Sequence, residues 1–347
     1  MLANTLGSLS SVPVNPVDIA VVGATGAVGE ALLAVLAEGA LPLGKVEVYA
    51  SRARRETHVS VGDRSYNLRD VEDLLEAAPH LCFLAAPGAV ANSLVAALHR
   101  QGTLVIDIGG SAAASFNLPL VLPGVGEPPE QAVADAGGFC TPTAPGWMVA
   151  SLVSALRPLG LTGVSGVLSV PASSAGRAGM DELGGQVAAL LNSREPPRVV
   201  FADGLAFDTV LDGGLDDDWT ERESRLADEV EELTGLPAAA VGVQVVKQPL
   251  FSGMSAGLYL RGVDVAQVEQ AWREVEGLNR VERPGKLRPR SAIGKKGLYW
   301  GRLRADRQGG GVHVWVVGDN LMGAGAVAPV RGALWALGAG LIGQGQA

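Results

Sequence analysis

Residues 19–36 constrain this chain more than any other stretch. A continuous apolar run, Ile19 to Val22, passes into Gly23-Ala24-Thr25-Gly26-Ala27-Val28-Gly29, and this opens a helical pattern from Val28 to Leu36. Glycines at these three spacings permit a tight turn, close backbone approach to a pyrophosphate and tight packing of helix on strand. The helix N-terminus adds free N–H groups and a partial positive charge. A glycine triplet alone is a weak signal, but between a strand and a helix it is a strong one. The pattern assigns Gly23, Thr25, Gly26, Ala27, Val28 and Gly29 to a dinucleotide phosphate.

The following residues continue the alternation. Val46 to Ala50, Leu81 to Ala86 and Leu104 to Ile108 read as strands, with helical patterns at Val71 to Leu75 and Ala89 to Leu98. Strands alternating with helices imply right-handed crossovers and a parallel, doubly wound sheet. The second strand ends in Ser51-Arg52-Ala53-Arg54-Arg55, where an NAD site usually carries an acid for the ribose 2′-hydroxyl. A serine and arginines there suit a 2′-phosphate. NADP is therefore expected over NAD, with Ser51, Arg52 and Arg54 as its contacts. Ala86 and Pro87, at the tip of a later core strand, are expected against the cofactor.

Beyond Gly146 the texture changes. Strands are expected at Gly163 to Pro171, Val241 to Val246, Gly257 to Leu260, Leu298 to Leu303 and Val312 to Val317. Helices are expected at Gly179 to Leu191, Thr220 to Leu233 and Val265 to Glu274. Long connections and segregated helices indicate an α+β domain with a mixed sheet. Leu321 to Ile342 reads as mostly helical, with Pro329 near the start of its regular part. Arg283 to Ser291, basic and proline-containing, reads as a solvated surface loop, and Asp216 to Asp218 as an acidic one.

The formal net charge is −9, so nucleic-acid binding is not expected. No stretch reads as a membrane span of roughly 18 apolar residues. The first 15 residues lack a basic start and an apolar core, so no signal peptide is expected. Two cysteines, Cys82 and Cys140, give no disulfide framework, and four scattered histidines give no metal-ligand spacing. A reduced, cytoplasmic protein without a metal is the expectation.

In order and spacing, several stretches resemble aspartate-semialdehyde dehydrogenases. They are Gly23 to Gly29, Leu118 to Pro123, Thr141-Pro142-Thr143, Ser173-Ser174-Ala175-Gly176, Gly301-Arg302-Leu303-Arg304 and Trp315 to Leu321. The resemblance covers nearly the whole chain. It implies a Rossmann-like parallel-sheet domain over 1–145 completed by a C-terminal helix in 321–347, and a substrate and dimerisation domain over 146–320. It also implies NADP, with Asn320 on the cofactor side, and a homodimer. Such enzymes oxidise an aldehyde through a cysteine thioester that phosphate releases; biosynthesis runs the reverse.

That chemistry needs groups this chain lacks. The family's Asn-Pro-Asn-Cys-Ser-Thr aligns with residues 141–146, which places Ala144 at the nucleophile. Met254 stands for the acid/base histidine, Val170 for a glutamine and Ala113 for a phosphate-binding arginine. Lys247 stands for the substrate-binding arginine and Arg225 for a phosphate-binding lysine, each keeping a charge in altered geometry. After Asp319-Asn320-Leu321 the family's Arg-Lys pair is replaced by Met322-Gly323. Losing nucleophile and base together costs many orders of magnitude in rate. Cys140 is about 13 Å away along an extended chain, too far to take over.

Three readings follow. The first is a catalytically dead paralogue that keeps NADP and serves as a regulatory or scaffolding dimer. The second is an oxidoreductase with cysteine-independent carbonyl chemistry. The third is a purely structural partner, which fits a heterodimer with an active paralogue. An ordinary aspartate-semialdehyde dehydrogenase is the least favoured.

Overall fold

In the first sheet, β1 (Val17–Val22) is central and almost wholly buried. The computed structural model describes residues 15–50, 57–110, 113–211 and 219–343. The chain divides into two units, 1–143 with 324–347, and 144–323. The helix beginning at Ala144 belongs to the second unit from its first residue.

In the first unit β1 leads to α1 (Ala27–Ala37), β2 (Leu43–Ala50), β3 (His58–Val61), β4 (Arg64–Asp70), α2 (Leu74–Ala77), β5 (Leu81–Leu84) and α3 (Gly88–Arg100). Then come β6 (Leu104–Asp107), α4 (Ala113–Phe116), α5 (Glu130–Ala136) and β7 (Gly138–Cys140). The strand order is β3-β4-β2-β1-β5-β6-β7, parallel except for the β3–β4 hairpin. That hairpin was not expected. Its signal is Gly62-Asp63 between β-forming residues, with Gly62 at φ 57°, a two-residue turn that mirrors the common types.

The second unit begins with α6 (Ala144–Val153), β8 (Gly163–Val170), α7 (Gly176–Leu191), β9 (Val210–Leu211) and α8 (Glu221–Thr234). It continues with β10 (Val241–Lys247), β11 (Met254–Arg261), α9 (Val265–Glu274), β12 (Leu278–Arg280), α10 (Pro289–Ala292), β13 (Leu298–Ala305) and β14 (Gly311–Gly318). The order β12-β13-β14-β11-β8-β10-β9 mixes two parallel pairs, β8–β10 and β12–β13, with antiparallel ones. Alternation sorts the faces. Leu168, Val170, Ala256, Leu258, Val314 and Val316 are buried, while Val167, on the opposite face of β8, is 44% exposed.

Two side chains of α7 fix the loop ahead of β9. Glu182 accepts the N–H groups of Val199, Val200 and Phe201 at 2.8, 2.6 and 2.9 Å. Gln186 accepts those of Leu205 and Ala206. Burial works against the Glu182 charge, but these backbone donors outweigh it and hold its carboxyl below the ordinary value.

A π-helix, Asn320–Val327, runs into α11 (Ala328–Gly338), with Pro329 in its first turn. Within the first unit Trp335 of α11 meets Phe139 edge-on at 5.9 Å. Contrary to the sequence expectation, Asn320–Gly338 is a 19-residue stretch long and apolar enough to pass for a membrane span, but 67% of its apolar window is buried inside the protein.

Candidate cofactor and dehydrogenase sites

The glycine loop lies at the carboxyl end of β1, beside the end of β5. Connections leave these two strands toward opposite edges of the sheet, which makes this crevice the switch point where doubly wound folds bind ligands. Gly23 has φ 82°, and a Cβ there would fall 2.2 Å from the Ala85 carbonyl oxygen. A Cβ at Gly29 would fall 2.3 Å from the Gly23 oxygen. Both positions therefore require glycine, one for its dihedral and contact, the other for helix packing. Gly23 N–H donates to the Tyr49 carbonyl at 2.9 Å, tying the loop to β2.

Thr25 Oγ1 is buried with no hydrogen-bond partner. An orphaned hydroxyl in a glycine cradle at the start of α1 fits a phosphate oxygen, and a pyridine dinucleotide supplies one. Ala27, Val28 and Gly29 form the first turn of α1, while Gly26 is its N-cap. Ala86 and Pro87 lead into α3 across the crevice. Ser51, Arg52 and Arg54 lie outside the described residues. Four positions before Ser51, Glu47 is paired with Lys45 at 2.8 Å and with Arg69. Burial opposes its charge, yet these cations hold its carboxyl below the ordinary value.

In the second unit, strand register brings together three of the positions expected from the sequence. Lys247 pairs with Val170, Ser255 with Ser169 and Met254 with Gly318. Met254, Val170 and Lys247 therefore form one row across three adjacent strands at one end of the sheet. Met254 is on β11 because that strand starts three residues before the expected Gly257. Met254 and Val170 are buried, and Lys247 Nζ sits 5.2 Å from the centre of the Phe201 ring.

α6 lies over the same end. Its Trp147 and Met148 each come within 3.3 Å of where a Cβ on Gly318 would stand. Ala144 is the first residue of this helix. Glu229, buried on α8, pushes its carboxylate against the first turn, so that a Cβ at Gly146 would fall 1.9 Å from Oε2. Arg225 is drawn to that acid, Nε to Oε1 at 3.1 Å. Sequence reasoning missed Glu229; its only signal was an acid on the apolar side of an otherwise amphipathic helix.

Asn320 closes the row. Its Nδ2 donates to Ser173 Oγ at 3.0 Å and its Oδ1 accepts Gly253 N–H at 3.3 Å. Asp319 caps the π-helix by accepting Leu321 N–H, and it also accepts Gly294 N–H. Ser174 Oγ is buried without a partner. Ala113 opens α4 in the first unit, and its side chain lies outside the described residues.

Besides the Lys247 ammonium, the Asn320 amide and the Glu229–Arg225 pair, this end of the sheet holds a methyl, a thioether, an isopropyl group and hydroxyls. The second unit's histidine, His313, is five residues along β14 from Gly318, roughly 16 Å away, and faces Asp306 at 3.4 Å. A serine without a neighbouring base is a poor nucleophile.

A switch-point cradle in one unit and a mixed sheet with a flanking helix N-terminus in the other define a two-domain nucleotide-dependent dehydrogenase architecture. Residues 18–132 match the semialdehyde dehydrogenase NAD binding domain, and 156–323 match the semialdehyde dehydrogenase dimerisation domain. The chain belongs to the aspartate-semialdehyde dehydrogenase family. It is 27% identical to aspartate-semialdehyde dehydrogenase 2 of Vibrio cholerae over 88% of this chain and 93% of that protein. It is 30% identical to a USG-1 protein homolog of Azotobacter vinelandii over 91% of this chain and 96% of that one. Aspartate semialdehyde dehydrogenase II of Vibrio cholerae superposes with a TM-score of 0.83 at 25% identity, covering 94% and 99% of the two chains. A probable aspartate-semialdehyde dehydrogenase of Pseudomonas aeruginosa gives 0.82 at 27%, covering 93% and 99%.

Proposed function

We propose that this chain is a non-catalytic, NADP-binding homodimer of its family, acting in the cytoplasm as a regulatory or scaffolding subunit. The observation that carries the reading is the row of Met254 and Val170 beside a helix that starts at Ala144. Acyl transfer in this family needs a thiolate, a proton shuttle and an orienting amide at those three places. A methyl, a thioether and an isopropyl group offer none of them.

The cofactor loop, by contrast, keeps what phosphate binding requires, including glycine at both crowded positions and a free buried hydroxyl. The basic turn after β2 favours the 2′-phosphate of NADP. A dimerisation domain with no working chemistry also suits a mixed dimer with an active relative.

Calorimetric titration with NADPH and NADH tests the cofactor part, with NADPH expected to bind more tightly. Phosphate-dependent reduction of NADP by aspartate semialdehyde above a protein-free blank would overturn the non-catalytic part.

A further inference from the structure

The edge of the second sheet at β12 and β13 carries charge opposite to that of the rest of the chain. Residues 280–307 hold ten Lys/Arg against two acids, whereas the remaining residues hold 17 Lys/Arg against 34 acids. Arg283, Lys286, Arg288, Arg290, Arg302 and Arg304 are exposed, and among the described residues none of them is ion-paired. Of the two acids, Asp306 faces His313 Nε2 at 3.4 Å and accepts the Gln308 N–H at 3.2 Å, so it does not answer the neighbouring arginines.

The backbone that carries these cations is fixed. Leu287 and Ala292 are buried with Val317, and Trp315 Nε1 donates to the Leu287 carbonyl at 3.1 Å. Ser291 Oγ lies 2.7 Å from the carbonyl oxygens of both Lys286 and Arg288. Gly294 N–H donates to Asp319 at 2.7 Å. A Cβ at Gly301 would fall 2.6 Å from Leu287 Cδ1, so β13 touches the turn here and Arg302, the next residue, joins Lys286 and Arg288 in one cluster. Arg288 donates its Nε to the Gly285 carbonyl at 3.2 Å, which orients the guanidinium and leaves its Nη groups for another acceptor. Ile293, 47% exposed, stands between Arg290 and Lys295 in the chain. A backbone held in this way loses little freedom when something binds to it.

We propose that this edge docks a short acidic segment of a partner protein. The inference goes beyond the cofactor and dimer readings above and depends on neither. Charge complementarity sets the sign, because carboxylates match the donors of arginine and lysine. Extent sets the class of partner. With a screening length of about 10 Å in 0.1 M salt, an extended segment of about six to eight residues, about 20–27 Å long, senses the patch alone. A nucleic acid or an anionic membrane continues past the patch, over a remainder with twice as many acids as bases, and is repelled there. Ile293 adds an apolar contact for a hydrophobic residue within the segment.

Fluorescence anisotropy of a labelled octa-glutamate peptide, titrated with the full chain in 0.1 M salt, tests this. The peptide is expected to bind, and to bind at least tenfold more weakly to Arg288→Glu/Arg290→Glu/Arg302→Glu. The neutral form Arg288→Gln/Arg290→Gln/Arg302→Gln is expected to fall between the two, and thermal melts check that each variant keeps the fold. Arg64→Glu/Arg100→Glu/Arg194→Glu makes the same change in net charge at exposed positions elsewhere, and should bind the peptide within about threefold of the unaltered chain. Binding should also weaken in 1 M salt, where the screening length falls from about 10 Å to about 3 Å. A peptide that does not bind the unaltered chain, or equal losses in the patch and control triples, would overturn the site. A labelled single-stranded oligonucleotide or phosphatidylserine vesicles that bind more tightly than the peptide would overturn the assignment to an acidic protein segment.

Discussion

The indole of Trp147 lies so close to Gly323 that a Cβ on the glycine would fall 2.3 Å from the ring. Gly323 is the second residue of the Met322-Gly323 pair, and Trp147 stands three residues beyond Ala144. The large side chain on α6 has space because the π-helix opposite carries none. Gly323→Lys should therefore destabilise the protein by about 1–3 kcal/mol through overpacking. Trp147→Ala should relieve part of that cost, giving a coupling of about 1 kcal/mol or more in a double-mutant cycle. Additive effects in urea unfolding would show that the two residues are independent.

Restoring the thiol alone should not restore the enzyme. Ala144→Cys would place sulfur on the helix turn that already holds the Glu229 carboxylate, and a nearby negative charge raises a thiol pKa. Alkylation by iodoacetamide at pH 7 should be slow. Adding Glu229→Gln should speed it by about tenfold, one pKa unit. Phosphate-dependent NADP reduction should stay at the blank in both variants, because Met254 accepts no proton.

Thr25 separates folding from binding. Its hydroxyl is buried without a partner, so Thr25→Val should leave the melting temperature unchanged or slightly higher. The same change should weaken NADPH binding by roughly five- to tenfold, the worth of one hydrogen bond of about 1 kcal/mol or a little more. Calorimetry and thermal unfolding on the same sample check both halves.

Glu182 sets an acid limit on stability. Its carboxyl is held below the ordinary value of 4.5, so its contribution is complete above that pH and is lost as pH falls through the lower folded value. Glu182→Ala leaves three N–H groups unpaired and should cost about 2 kcal/mol at pH 7. The difference between variant and parent should shrink on acidification. A pH series of thermal melts between 7 and 3 reads this directly, and a constant difference would refute it.

Local pattern located much of this molecule. β1 and α1 are legible because burial on both faces and a helical period are written in consecutive residues. The β3–β4 hairpin was missed because its strands are polar and half exposed, leaving only Gly62-Asp63 as a marker. β11 was read short because Met254, Ser255 and Ala256 carry no alternation. All three are buried, and burial on both faces erases the period that marks a strand.

The sequence by itself determined which side chains stand at the proposed site, since a methyl or a thioether is a property of one residue and needs no neighbour. It also determined the cofactor turn, whose glycines answer to contacts within a few residues and to the next strand end. Tertiary structure decided what stands together. Met254, Val170 and Lys247 meet only through the register of three strands. Glu229 reaches the start of α6 only because α8 packs there, and Trp147 finds Gly323 across 176 positions of chain. Such contacts follow from how whole elements bury their apolar faces, and no local window of sequence records that.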